Sequence, residues 1–159
     1  MTNELAVRNR QRVRKIDLRL LRSIALTCLE EMLRLEFEIG IELVSGAQMA
    51  RINERYLRHH GSTDVITFDY LEAPQKSLVR GDIYVCVDEA VAQAKQFRTS
   101  WQQELVRYIV HGILHLHGYD DRTPRARTSM KRVEDRLVAG LTARFSLRSL
   151  QPANRRSHG

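Results

Sequence analysis

At 159 residues, 43% of them apolar and 28% charged, the chain has the size and balance of one soluble globular domain, which excludes a wholly disordered or fibrous protein. The net charge of +7 is uneven: residues 1–22 hold seven basic side chains against two acidic, residues 122–159 ten against two, and the centre nine against fifteen. Basic ends around a mildly acidic centre suit a polyanion gripped by the flanks, because neutralising phosphates releases counterions, although solvated helix faces produce the same counts.

In chain order, "LAVRN" at 5–9 reads as a short strand. Asp17 then caps a helix over 18–35, whose apolar residues recur at intervals of three and four. "FEIGIELV" at 37–44 alternates like a half-buried strand, Ser45 caps a helix over 46–57, and "TDVITFDY" at 63–70 is the next strand. Residues 71–81, with Pro74 and Gly81, read as a loop, 82–88 as a strand and 89–97 as a helix. A longer helix, 100–116, carries two histidines and stops before Gly118. Thr123 and Pro124 open the last helix, about 124–145. The expected organisation is a domain over 1–147 followed by a basic, disordered tail over 148–159.

No apolar run approaches the ~20 residues of a membrane span, and "MTNELAVRNRQRVRK" lacks the apolar block and cleavage site of a secretory leader. A cytoplasmic protein with no membrane partner is expected. Cys28 and Cys86 show no zinc or redox spacing, so buried thiols are expected there.

"HGILHLHGYDD" at 111–121 concentrates the chemistry. His111 and His115, four apart on a helix, project from one face and can share a cation. Gly118 can turn the chain back, which brings Asp121 into reach as a third ligand, with Asp120 as its competitor. Two imidazoles and a carboxylate leave a fourth zinc position open, as in catalytic rather than structural sites. His117 points away from the shared face. One class of zinc peptidases has the same spacing but places a glutamate directly after the first histidine. Here that residue is Gly112, and losing a general base removes about 10²–10⁴ in rate, so peptide hydrolysis is disfavoured.

The same stretch resembles the signature of the YbeY family of bacterial endoribonucleases, His-Gly-x-Leu-His-Leu-x-Gly-Tyr-Asp-His, with Asp121 in place of the last histidine. "STDVITFDY", "RGDIYVCVDEAVAQA", "NERYL" and the pair Met130 and Glu134 are similar to further family patterns, so the resemblance spans about residues 37–138. It implies a single α+β domain, a small mixed sheet of about four strands flanked by about five helices. It also implies one zinc ion on His111, His115 and Asp121, and cleavage of single-stranded RNA in small-subunit rRNA maturation and ribosome quality control, with the ribosome or its proteins as partners. Many members carry an arginine after the tyrosine of the second helix. Here Leu57 stands in that place, and the catalytic role falls to Arg58, one position and about 100° further round a helix, with His59 as its competitor.

His59, Thr63 and Asp64 are candidate substrate contacts, Thr63 and Asp64 being equally suited to capping. Asp82 reads as a turn residue, and Trp101, Tyr108 and Tyr119 as core packing. Two other functions compete: a non-catalytic rRNA-binding assembly factor with a structural zinc, and a metallohydrolase of another substrate.

Overall fold

The computed structural model describes residues 3–32, 36–57, 63–71 and 78–153. Strand β1 (Glu4–Asn9) leads to helix α1 (Leu18–Glu31), whose start is fixed by Asp17: its carboxylate accepts the Leu20 amide at 3.1 Å. Leu21, Ile24, Ala25, Cys28 and Leu29 form the buried stripe, the spacing expected of one helix face. α1 carries the chain over to β2 (Glu36–Val44), which pairs parallel to β1 with Leu5 opposite Ile39.

Helix α2 (Gly46–Leu57) follows, capped by Ser45, and then the short strand β3 (Val65–Asp69). β4 (Leu78–Cys86) lies between β2 and β3, parallel to the first and antiparallel to the second, so the sheet order is β1-β2-β4-β3. Helices α3 (Val87–Phe97), α4 (Trp101–Leu116) and α5 (Pro124–Arg144) complete the domain with a 3-10 turn at Leu147–Leu150. The result is a single α+β domain, a four-stranded mixed sheet with five α-helices. α4 is its spine. Leu105, Val106, Ile109, Val110, Ile113 and Leu114 are each no more than 1% exposed, because the helix lies against β3 and β4 and is covered by α1, α3 and α5.

Four sequence expectations change. β4 begins at Leu78 rather than at residue 82, because Leu78–Gly81 hydrogen-bond alongside Glu36–Ile39 of β2. It ends at Cys86, and α3 takes up Asp88, whose carboxylate also accepts the Gly46 amide at the start of α2. Asp82 is therefore mid-strand, accepting the Tyr70 hydroxyl, and not a turn residue. β2 is not half-buried either: Glu42 is 1% exposed, its carboxylate shared by Arg8 and by Arg10 at 2.8 Å. Finally, the chain stays packed beyond residue 147. Leu150 is fully buried and its carbonyl accepts the Asp17 amide at 2.7 Å, so residues 148–150 belong to the domain rather than to a tail. Both cysteines are buried and neither is in a disulfide.

Candidate metal centre

The last turns of α4 bring His111 and His115 onto one face, with their Nε2 atoms 3.1 Å apart. The opposite ring nitrogens are both committed: His111 Nδ1 lies 2.7 Å from Glu134 Oε1, and His115 Nδ1 lies 3.1 Å from the Tyr119 carbonyl oxygen. Both partners are acceptors, so each Nδ1 carries a proton and each Nε2 presents a lone pair to the other. Two such lone pairs at this distance need a positive charge between them, supplied by a proton or by a cation. The carboxylate of Asp121 supplies a third donor, and the three ligand atoms lie within 4.8 Å of one another. Two neutral imidazoles, oriented by hydrogen bonds at their far nitrogens, and one carboxylate form a donor set that fits a divalent ion such as zinc.

The turn after α4 decides which aspartate takes part. Gly118 adopts φ +97°, and its amide and that of Tyr119 return to the His115 and Leu114 carbonyls at 3.0 and 3.1 Å. Asp120 then closes the following bend by accepting the Arg122 amide at 3.1 Å, while Thr123 caps α5 through the Ala126 amide at 3.0 Å. The Asp121 carboxylate is relieved of both jobs and sits with the histidines. His117 donates through Nδ1 to the Ile113 carbonyl at 2.8 Å and takes no part in the cluster.

Glu134 is the residue to which sequence reasoning gave no role. It stands on the buried stripe of α5 with Met130, Leu137, Val138 and Leu141. Its second oxygen accepts Arg107 at 2.9 Å, and Arg107 also reaches Asp135 at 2.7 Å. Burial opposes ionisation of Glu134, but the hydrogen bonds from His111 and Arg107 outweigh it and hold the carboxyl below its ordinary range. Burial likewise works against charging His111, but Glu134 turns the balance and its pKa rises. His115, desolvated and beside His111, moves the other way. A carboxylate on an otherwise apolar helix stripe was the available signal, because a buried acid requires a partner.

Gly112 has a steric cause. A Cβ there would lie 2.5 Å from Cγ2 of Ile83 on β4, closer than real Cβ atoms approach a neighbour. The helix can lie this close to the sheet only without a side chain, so a glutamate at this position is excluded by packing as well as absent.

The histidines and Asp121 open onto a cleft of about 710 Å³ whose lining also includes Asn53, Thr63, Asp64, Asp69 and Arg122. Thr63 and Asp64 thus lie at the centre, although they are also bonded locally: Asp64 Oδ1 accepts the Val65 amide at 2.8 Å and the Thr63 hydroxyl at 3.4 Å. Arg58 and His59 lie outside the described residues. Tyr108 is core, as expected, and Trp101 is half-buried at the other end of α4.

The chain matches the family model described as Endoribonuclease YbeY over residues 6–142. A protein of that name from Chlorobium phaeovibrioides is 42% identical over 101 residues, which are 64% of this chain and 66%, just under two thirds, of the relative. The one from Chlorobium luteolum is 36% identical over 132 residues, 83% of this chain and 93% of the relative. In fold, the solution structure of TM1509 from Thermotoga maritima superposes with a TM-score of 0.66 at 23% identity, covering 98% of this chain and 99% of that one. The match of residues 6–142 takes in both histidines, the glycine turn and Asp121, and the chain belongs to the YbeY endoribonuclease family.

Proposed function

We propose that this protein is a zinc-dependent endoribonuclease that cuts single-stranded RNA, acting in the cytoplasm in small-subunit rRNA maturation and ribosome quality control. The family supports RNA as the substrate, since the relatives named above are endoribonucleases. The observation that carries the metal is the pair of imidazole Nε2 atoms 3.1 Å apart beside a carboxylate. His111, His115 and Asp121 would hold one ion, which supplies Lewis acidity toward a phosphodiester when bound.

The chain's own residues do the rest. Glu134 fixes the tautomer and ring plane of His111, and the Tyr119 carbonyl does the same for His115. Arg122 in the cleft lining attracts the RNA backbone, while Thr63 and Asp64 in the same lining contact ribose hydroxyls. The open cleft beside the ligands favours a catalytic site over a closed structural one. No helix among the described residues is long and apolar enough to cross a membrane.

The test pairs metal analysis with cleavage of single-stranded RNA for the wild type and for His111→Ala with His115→Ala. Loss of both bound zinc and turnover is expected. Full nuclease activity in the metal-free variant overturns the reading, and tight, salt-sensitive RNA binding without metal-dependent turnover in the wild type assigns an assembly factor instead.

A further inference from the structure

A second cleft, about 630 Å³, lies at the opposite end of α4. Its cationic lining is Arg14 from the loop after β1, Lys95 from α3 and Arg148 from the 3-10 turn, and no carboxylate lines it among the described residues. None of the three cations is in an ion pair within the described residues. Ser100, Trp101 and Gln102 bring the start of α4 to the same place. Ser100 caps the Gln103 amide at 3.1 Å, so the Trp101 and Gln102 amides are first-turn donors with no intrahelical acceptor, at the positive end of the helix.

Gln102 is the independent observation. It is only 6% exposed, yet its side-chain amide makes no hydrogen bond within the described residues. No fully enclosed side-chain polar atom among those residues lacks a partner, so this amide opens onto the cleft that it lines. An amide with no protein partner, on a side chain otherwise buried, leaves a donor and an acceptor available to whatever occupies the cleft. Beside it the half-buried indole of Trp101 offers an aromatic surface.

We infer that this cleft binds a nucleotide unit, its phosphate between Arg14, Lys95, Arg148 and the first turn of α4, its base against Trp101 and hydrogen-bonded to Gln102. Each part of the lining matches a different part of that ligand: cations and helix amides the phosphate, an aromatic face the base, an amide with both donor and acceptor the base edge. The inference rests on the proposed function only for the expectation that the nucleotide belongs to an RNA strand. Gln102 precedes His111 by nine residues, half a rotation around the helix and about 14 Å along it, so this is a separate site and not an extension of the metal cleft.

Trp101 is the chain's only tryptophan, and its fluorescence therefore reports directly on the cleft. Metal-stripped wild-type protein in a chelator, which prevents cutting, is titrated with a short oligouridylate and separately with uridine monophosphate. Saturable quenching that weakens with salt is expected. Lys95→Glu with Arg148→Glu, both exposed positions, should raise the apparent Kd on the order of tenfold with an unchanged far-UV spectrum. Quenching by the oligomer alone supports the site with an RNA strand as the source; equal quenching by the mononucleotide supports it with a free nucleotide. No quenching, or quenching unaltered in the charge-reversed variant, overturns the inference. If RNA cleavage fails while quenching holds, the proposed function falls and the cleft stands. The converse result removes the cleft alone.

Discussion

His111 Nδ1 and Glu134 Oε1 meet at 2.7 Å across 23 residues of sequence, joining α4 to α5 at the point where the metal donors are aimed. A carboxylate behind a ligating histidine fixes its tautomer and raises its basicity. Glu134→Ala should therefore lower zinc affinity by about 10–100-fold, with Glu134→Gln affected less because its amide oxygen can still accept the Nδ1 proton. Competition titration against a chromophoric chelator measures this. Unchanged affinity in Glu134→Ala would show that the pair only links the helices.

Asp121 and Asp120 are adjacent but have different tasks, one with the histidines and the other closing the bend onto the Arg122 amide. Asp121→Ala should bind zinc weakly, whereas Asp120→Ala should retain it at a small cost in stability. A divalent ion that binds only the native state also stabilises it, by about 2.7 kcal/mol at a concentration 100 times Kd. Thermal unfolding with and without added zinc thus separates the variants: a large upward shift in Asp120→Ala and a small one in Asp121→Ala. The reverse pattern would exchange their roles.

Gly112→Ala is expected to destabilise the protein by about 1–3 kcal/mol, because the new methyl group enters space occupied by Ile83. Denaturant unfolding reads this directly. Gly112→Glu should be worse and should not create peptidase activity, since its side chain starts against the sheet. A neutral Gly112→Ala would mean that β4 yields more easily than its burial indicates.

Burial, with the charge of Glu31 adding to it, pushes the Cys28 thiol up from 9.0 to about 12. A thiol that ionises more readily unfolded than folded holds its proton longer in the native state, so stability falls as pH rises above about 9 and levels off near 12. Over that window Cys28 contributes a slope of up to about 1.4 kcal/mol per pH unit. Cys28→Ala should unfold with a shallower alkaline dependence between pH 9 and 11. Identical slopes for the two proteins would remove Cys28 as the cause.

What the sequence made legible follows the range of the forces involved. His111 and His115 could be read because helical periodicity is local, and Asp121 because Gly118 announces the turn that brings it back. Glu134 could not be given its role, since no local rule connects it to His111 over 23 positions. Gly112 read only as a missing acid, because its steric role depends on Ile83, which belongs to another element. The early start of β4 was hidden in the same way: Arg80 and Gly81 look like loop residues until the ladder to β2 is known. The packing of Leu150 was masked by the polar residues around it, although its carbonyl pins the start of α1.

α4 is one buried rod with unlike ends. Its aligned peptide dipoles leave about half a positive charge at Ser100–Gln102 and about half a negative charge near His115. The backbone alone therefore sorts ligands by sign, anions toward the basic cleft and cations toward the histidines, before any side chain is counted. Encased in the core, the rod also fixes their separation, so a strand held at both ends must span at least the length of the helix, 16 residues or about 24 Å.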